Sequence, residues 1–271
     1  MRLVRFIDKA DGIVFGRILD SGRCRILRGS PWQGFEETGR VVEVGQCLAP
    51  IEPVNIFCIG LNYRDHAAET GARLPDNPIL FMKPTSAVTH PGCPIPLPAS
   101  CTQGPEVDYE GELAVVVGRL AHNVKEEQAL EFVYGYTCAN DISARRWQKH
   151  SGGGQWVRGK SFDGFCPLGP VLVTADEIPD PQALRVRTLL NGQTMQDGNT
   201  ADMIFPVARL IHLLSQDTTL LPGTLILTGT PAGVGFTRNP PVFLAAGDQV
   251  EIRIDSIGSL VNPVAGPIQG S

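Results

Sequence analysis

The sequence predicts an α+β protein that is mainly β, with a few short helices. Thirty Gly and 22 Pro are spread without a period through 271 residues, which is typical of many short strands joined by turns. Apolar and polar residues also alternate in most patterned segments, at the period of two that strands have. Helical periodicity is confined to a few short stretches, which argues against a helical bundle.

The chain is interpreted as two unequal parts. Residues 1–50 alternate in short pieces separated by glycine turns, which predicts a small N-terminal β unit. Residues 51–271 are predicted to form one large domain, because the proline-rich stretch at 84–105 is an extended loop that separates no second core. The strands predicted in this domain are 56–60, 107–117, 133–139, 168–173, 184–190, 225–228 and 250–254.

Helical signals are fewer. Asn62 is predicted to cap a short helix that Gly71 ends, since Asn is a favoured N-cap and Gly accepts the left-handed exit. Further helices are predicted over 125–132, after Asp141, and over 206–214. Between two of the strands, Asn191-Gly192 predicts a hairpin turn.

Charge and cysteine content exclude several classes of protein. The chain carries 23 Lys and Arg against 28 Asp and Glu, without a block of like charge, so we expect no nucleic-acid partner. No apolar run approaches the roughly 20 residues of a membrane helix, and a secretory signal pattern is missing. We therefore expect no membrane partner and a cytoplasmic location. The seven Cys include no C-x-x-C pair and are expected to be reduced thiols, with no zinc site.

Three acidic side chains stand at alternating positions of one predicted strand. Residues two apart share a face of a strand, so Asp108, Glu110 and Glu112 are expected to project together. Like charges in a row are unfavourable unless water screens them or a cation neutralises them. A solvated strand end is one explanation, and a divalent metal explains the row better. With oxygen ligands only, the ion is expected to be Mg²⁺ or Mn²⁺, with Ca²⁺ as a further option.

A further carboxylate ligand is expected from elsewhere in the chain. Asp141 offers one, because it follows an apolar strand where a helix begins; the alternative is that it caps this helix. A different hypothesis treats Glu110 and Glu112 as the acid/base pair of a metal-free glycosidase. A third hypothesis is a metal-stabilised binding module without catalytic activity.

His66 and Glu69 are three residues apart. On a short helix they share a face, so the carboxylate can orient the imidazole as a general base; an exposed polar face is the alternative. Lys160 lies in the glycine-rich stretch 152–163, which can act as a mobile lid. The same stretch meets the phosphate-loop pattern at 154–161, but no predicted strand precedes it, so a nucleotide site is rejected.

The segment 227–235 ends a predicted strand in a glycine-rich turn. Its backbone amides and the Thr230 hydroxyl can hold a carboxylate or an oxyanion. An ordinary turn explains the same residues equally well.

Together these segments resemble the fumarylacetoacetate hydrolase family. Six motifs occur in order: GLNYRDHAAE at 60–69, FMKP at 81–84, EVDYEGELAVVVG at 106–118, NDISAR at 140–145, RGKSFD at 158–163 and LTGTPAGVG at 227–235. The resemblance runs from about residue 50 to the end, and six ordered motifs are far more specific than one. FCPLGP at 165–170 is most similar to the branch that includes oxaloacetate tautomerases.

The resemblance implies a mixed β-sandwich roll, a catalytic domain over 51–271, a homodimer and a divalent ion held by carboxylates. Asp108 matches the motif but is not expected to touch the metal. The residues that the resemblance implies are Glu110, Glu112 and Asp141 for the metal, His66, Glu69 and Lys160 for catalysis, and Arg145, Gln148 and Thr230 for substrate binding.

The family chemistry implies a small 2-oxo or 2,4-dioxo acid as substrate. Mg²⁺ or Mn²⁺ would chelate its carboxylate and 2-oxo oxygens and stabilise the enolate that develops there. Three reactions stay open at this point. They are C–C bond hydrolysis by a water that His66 activates, keto–enol tautomerisation in which His66 or Lys160 moves the proton, and decarboxylation of oxaloacetate.

Overall fold

A sheet of 12 strands runs through the molecule. The computed structural model describes residues 1–20, 22–150 and 152–267, so the end of the predicted second domain, 268–271, lies outside the described residues. Over the described residues the chain is mainly β, as predicted. The strands in chain order are β1 (Arg2–Asp8), β2 (Gly12–Asp20), β3 (Arg23–Ser30), β4 (Gly34–Glu43), β5 (Gln46–Leu48), β6 (Asn55–Gly60), β7 (Ile79–Lys83), β8 (Val88–Thr89), β9 (Ile95–Pro96), β10 (Val107–Asp108), β11 (Gly111–Val117), β12 (Ala121–His122), β13 (Val133–Asn140), β14 (Ser143–Ala144), β15 (Cys166–Thr174), β16 (Arg185–Leu190), β17 (Gln193–Asn199), β18 (Thr219–Leu220), β19 (Thr224–Leu227), β20 (Gln249–Ile254) and β21 (Gly258–Ala265).

The helices are short. Those of α type are α1 (Arg64–Thr70), α2 (Arg145–Lys149) and α3 (Val207–Leu214). The helix predicted over 125–132 forms as a 3₁₀ helix. All 3₁₀ segments of the described residues are Thr85–Ala87, Glu126–Phe132, Gly152–Gly154, Val157–Lys160, Ala175–Glu177, Thr200–Asp202 and Gly235–Thr237. None of the helices in the described part of the chain combines the length and the apolar character that crossing a bilayer requires.

The main sheet joins the N-terminal strands to the rest of the chain. Its order is β4-β3-β2-β1-β15-β13-β11-β19-β6-β7, with β5 added to β1 and β8 added to β15. β1 runs antiparallel to β15, with Leu3 opposite Leu172. The predicted N-terminal unit therefore continues the same sheet as the larger part of the chain.

A second sheet of five strands, in the order β17-β16-β20-β21-β9, packs across the main sheet. The predicted hairpin turn between β16 and β17 is confirmed, with Asn191 and Gly192 both at positive φ (51° and 82°). β11 lies between the two hydrophobic cores, and its residues alternate between them. Leu113, Val115 and Val117 face one core, while Ala114 and Val116 face the other. The acidic residues at the start of β11 are thus attached to a rigid, fully buried strand.

The predicted strand 107–117 is wrong as a single element. The chain leaves strand geometry at Tyr109 and Glu110, and β10 pairs with β14 outside the main sheet. Because alternation holds only along a continuous strand, Asp108 does not share the face of the two glutamates. Its carboxylate binds Arg145 instead.

Asn62 does not cap α1, contrary to the prediction. The N-cap is Tyr63, without a side-chain hydrogen bond, whereas the left-handed exit at Gly71 is confirmed. The Asn62 side chain is fully buried, donates to the carbonyl oxygens of Phe205 and Thr228, and accepts from the Phe205 N–H. It therefore ties the start of α1 to two loops that approach it from distant parts of the chain.

Replacing Asn62 with Ala is expected to lower the free energy of unfolding by about 2–4 kcal/mol, because two carbonyls and one N–H lose buried partners. Urea unfolding followed by circular dichroism measures this change. A loss below about 1 kcal/mol would contradict the prediction, since it would mean that these groups find other partners.

Candidate active site

One cavity of about 210 Å³ gathers most of the predicted site residues. It lies where α1, β6, β7, the start of β11 and α2 meet. Seven of the nine predicted residues line it: His66, Glu110, Glu112, Arg145, Gln148, Lys160 and Thr230. Glu69 contacts His66, and Asp141 contacts Lys160. The cavity has room for a small organic acid rather than a drug-sized ligand.

Three buried carboxylates form the centre of the site. Glu110, Glu112 and Asp141 each offer an oxygen, and these oxygens lie within 4.8 Å of one another. Strand register brings them together, because β11 pairs with β13 and Asp141 directly follows β13. The Asp141 N–H donates to the Glu110 carbonyl at 2.8 Å, which extends this pairing by one step. Asp141 is therefore not the cap of α2, whose N-cap is Ala144.

Two buried lysines neutralise part of this charge. Lys160 Nζ donates to Glu110 Oε2 at 2.7 Å and to Asp141 Oδ2 at 2.8 Å. Burial lowers the pKa of Lys160, but the two carboxylates outweigh it, and the net effect is a raised pKa. Lys83 Nζ lies 2.6 Å from Asp141 Oδ1, with hydrogen bonds to three backbone carbonyls. No role was predicted for Lys83 from the sequence, although a charged residue at an inward position of β7 could have indicated a buried ion pair.

Arg145 holds two carboxylates at once. Its Nε and Nη2 donate to Asp108 Oδ2 at 2.9 and 2.7 Å, and its Nη1 donates to Glu110 Oε1 at 2.6 Å. Burial alone would raise the pKa of Glu110, but Lys160 and Arg145 hold it well below its ordinary value. Gln148 accepts a further bond from Arg145 Nη1 at 3.1 Å. Arg145 thus lines the cavity with its donors already engaged by the chain.

Glu112 is the carboxylate of this centre whose charge is not balanced by a cation of the described residues. Its Oε2 accepts from the Gly229 N–H at 2.7 Å, and no cation of the described residues forms an ion pair with it. Burial, then Asp141 and Glu110, raise the pKa of Glu112 well above 4.5. Asp141 Oδ1 is compensated by the Lys83 ammonium, which lies 2.6 Å from it. A buried carboxylate without a cation partner, with oxygens of two further carboxylates within 4.8 Å, fits a hard divalent cation with oxygen ligands.

His66 and Glu69 form a hydrogen-bonded pair on α1. His66 Nδ1 lies 3.0 Å from Glu69 Oε2, and Glu69 Oε1 accepts from the Gly233 N–H and the Thr237 hydroxyl. Burial raises the pKa of Glu69, but these hydrogen bonds outweigh it and lower the pKa overall. Since a carboxylate only accepts, His66 donates through Nδ1 and keeps Nε2 as a proton acceptor.

The glycine-rich loop at 227–235 holds carboxylates that belong to the chain itself. Its N–H groups donate from Gly229 to Glu112, from Gly233 to Glu69 and from Gly235 to Asp108. The Thr230 hydroxyl donates to the Gly111 carbonyl at 3.0 Å and accepts from Gln196 at 2.7 Å. The loop therefore orients the acidic groups of the site, and the role of Thr230 in substrate binding stays a prediction.

Aromatic side chains form the remaining walls. Trp156 packs against Phe81, with ring centroids 5.6 Å apart, and lies over Gly60, where a Cβ atom would come within 2.2 Å of the indole ring. Phe236 stands beside Arg145 and Lys149, with the Lys149 ammonium 3.5 Å from its ring centroid. Among the described residues, the element before 154–161 is the 3₁₀ segment Gly152–Gly154 and not a strand. That 152–163 moves as a lid stays a prediction.

Comparison with known proteins identifies the family. The model of the fumarylacetoacetate (FAA) hydrolase C-terminal family matches residues 55–265, and that of the Rv2993c-like N-terminal family matches residues 1–50. The chain is 50% identical over 218 residues to "Oxaloacetate tautomerase fahd2, mitochondrial" of Xenopus laevis, covering 80% of this chain and 67% of that protein.

Solved structures agree with this match. A 5-carboxymethyl-2-hydroxymuconate delta-isomerase from Mycobacterium smegmatis superposes with a TM-score of 0.85 at 40% identity, covering 98% of this chain and 100% of that chain. A 2-hydroxyhepta-2,4-diene-1,7-dioate isomerase from Mycobacterium marinum gives 0.85 at 40% identity, covering 99% and 100%. The chain therefore belongs to the fumarylacetoacetate hydrolase family and is an enzyme of that family.

Proposed function

We propose that this enzyme is a divalent-metal-dependent keto–enol tautomerase of small 2-oxo acids, with oxaloacetate as its substrate. The observation that carries the proposal is the His66–Glu69 pair facing a buried carboxylate centre across one small cavity. The Xenopus and Mycobacterium relatives support tautomerisation over hydrolysis, because their names describe a tautomerase and isomerases.

The metal part of the proposal rests on three carboxylates. Glu110, Glu112 and Asp141 would hold Mg²⁺ or Mn²⁺, since they form an oxygen-only donor set in which Glu112 has no cation partner among the described residues. When bound, such an ion supplies Lewis-acid stabilisation of the charge that builds on the 2-oxo oxygen of the substrate.

His66 is the proton-transfer group that the geometry supports best. Glu69 fixes its tautomer, so Nε2 is free to take a proton from the carbon next to the 2-oxo group, or to return it. Lys160 is the other candidate for moving the proton. Its ammonium is held between Glu110 and Asp141 with a raised pKa, which favours a fixed cation over a base.

The hypotheses of a metal-free glycosidase and of a binding module without catalytic activity both lose support. Both Glu110 oxygens accept from buried cations, Arg145 and Lys160, so neither oxygen is free to act as the nucleophile or base of a glycosidase. Family membership sets aside a binding module without catalytic activity. Hydrolysis and decarboxylation pass through an enolate similar to that of tautomerisation, so an experiment is needed to distinguish the three reactions.

The test follows the ultraviolet absorbance of enol-oxaloacetate in the presence of Mg²⁺. The expected result is that the enzyme accelerates conversion to the keto form without releasing pyruvate, which a coupled lactate dehydrogenase assay detects. Acylpyruvates, tested in parallel, should stay intact. Acylpyruvate cleavage with no effect on oxaloacetate would make the enzyme a hydrolase, and pyruvate release would make it a decarboxylase.

Metal addition should stabilise the protein more at high pH than at low pH. Because the pKa of Glu112 is raised, this group's contribution to the metal-free fold is present below pH 4.5 and is lost as the pH rises through the raised pKa. A bound cation replaces that proton, so the Mg²⁺-induced shift in Tm should grow with pH. At 100 times its Kd, the ion adds about 2.7 kcal/mol to the free energy of unfolding.

Differential scanning fluorimetry at about pH 5.5 and about pH 8.5, with and without Mg²⁺, measures this dependence. Glu112→Gln should reduce the pH dependence of the Mg²⁺-induced Tm shift, because the amide does not titrate in this range. A shift that is equal at both pH values in the native protein would contradict the prediction.

A further inference from the structure

Lys149 is a cation at the cavity without a carboxylate partner in the described residues. The other two permanent cations that line the cavity, Arg145 and Lys160, each bind two carboxylates of the chain. Lys149 is exposed, and the described residues offer it no ion pair. It is therefore the lining cation whose charge is available to a ligand.

The position of Lys149 directs this charge toward the site. Lys149 is the last residue of α2 and lies four residues after Arg145, so the two share a face of the helix. Both cations lie against the same ring, with the Arg145 guanidinium 4.4 Å and the Lys149 ammonium 3.5 Å from the centroid of Phe236. Arg145 also binds Glu110, so the ring that the two cations share lies next to the carboxylate centre and brings Lys149 close to it.

We propose that Lys149 binds the distal carboxylate of the substrate and selects dicarboxylic over monocarboxylic 2-oxo acids. The inference rests on the proposed function, because it takes the carboxylate centre as the site of the 2-oxo end. A short diacid bound there points its second carboxylate away from three acidic side chains and toward the cavity wall.

The chemistry of the cavity wall agrees with this role. A contact between an ammonium and an aromatic ring is worth less than a charge-assisted hydrogen bond to a carboxylate. The Lys149 ammonium carries three donors, so it can donate to a carboxylate while it keeps its contact with Phe236. No role was predicted for Lys149 from the sequence, although its i, i+4 spacing from Arg145 could have indicated a place at the site.

The test compares oxaloacetate with 2-oxobutanoate, which lacks the distal carboxylate. Deuterium exchange at C3, followed by proton NMR in D₂O with Mg²⁺, reports enolisation of both compounds. Lys149→Met should raise KM for oxaloacetate about 10- to 100-fold with a much smaller change in kcat. The preference for the diacid over the monoacid should fall by the same factor, and Lys149→Arg should restore most of it.

Lys125→Met is the matched control, because it removes an exposed lysine outside the cavity. It should keep the wild-type preference. If Lys149→Met keeps that preference as well, or if the wild type does not prefer the diacid, the proposal is overturned.

Binding of unreactive ligands separates this proposal from the proposed function. Titration calorimetry with malate and with 2-hydroxybutanoate measures the distal carboxylate without any turnover. If the wild type does not enolise oxaloacetate but binds malate more tightly in a manner that depends on Lys149, the proposed function fails and the Lys149 site stands. If oxaloacetate is turned over and Lys149→Met changes neither KM nor malate affinity, the proposed function stands and the Lys149 site fails.

Discussion

Replacing His66 with Ala is expected to lower kcat for oxaloacetate tautomerisation by about 100- to 10,000-fold, the range that general acid–base catalysis supplies. The imidazole lines the cavity together with the carboxylate centre, and Glu69 fixes its tautomer. The enol-oxaloacetate assay in Mg²⁺ measures the change. KM should change far less, because the imidazole is needed for proton transfer more than for binding.

Glu69→Gln tests the same pair without removing the imidazole. The Gln amide can present N–H to His66 Nδ1, which favours the tautomer that carries its proton on Nε2 and is no longer a base. A large fall in kcat is therefore expected although the ring stays in place. Asp76→Ala, an exposed residue with no ion pair in the described chain, should keep wild-type activity. Wild-type kcat in His66→Ala would remove His66 from the mechanism.

Replacing Asp141 with Ala is expected to lower the free energy of unfolding by about 3–5 kcal/mol. Lys83 and Lys160 are both almost fully buried and lie 2.6 and 2.8 Å from its two carboxylate oxygens. Without Asp141, two ammonium groups keep their buried positions with less negative charge to balance them. Activity should also fall about 100-fold or more, because a predicted metal ligand is lost.

Urea unfolding and the tautomerase assay measure the two effects of this change separately. Asp141→Asn keeps the shape of the side chain and removes only its charge, so it serves if the Ala variant does not fold. Asp76→Ala again supplies the control for loss of one aspartate. An Asp141→Ala protein with full activity would exclude Asp141 as a metal ligand.

Much of the fold could be predicted from local patterns. The strands predicted at 56–60, 133–139, 168–173 and 250–254 match β6, β13, β15 and β20 within two residues at each end. Such strands alternate or run apolar over their whole length, so the pattern is present in each segment by itself. The break at Tyr109 and Glu110 could not be predicted, because Asp108 leaves the row to bind Arg145, which lies far along the chain.

In the candidate site, too, contacts between residues close in sequence could be predicted, whereas contacts between remote segments could not. The i, i+3 spacing of His66 and Glu69 predicted a pair that the structure shows hydrogen-bonded, because both lie on one short helix. Lys83 was given no role, since its partners are a carboxylate and three carbonyls from distant segments. Asn62 was assigned to a local cap for the same reason, although its partners lie in two remote loops.

By itself, then, the sequence determined the mainly β class, the family and the residue types available for chemistry, because motifs and alternation are local properties of the chain. Only the tertiary structure decided how their charges are paired. It brought Lys160, Lys83 and Arg145 to three of the four acidic groups and left Glu112 without a cation of the described residues. It also left Lys149 at the cavity without a carboxylate partner there. Pairing of this kind depends on distances between segments that are remote in sequence, and the strength of each pair depends on its burial.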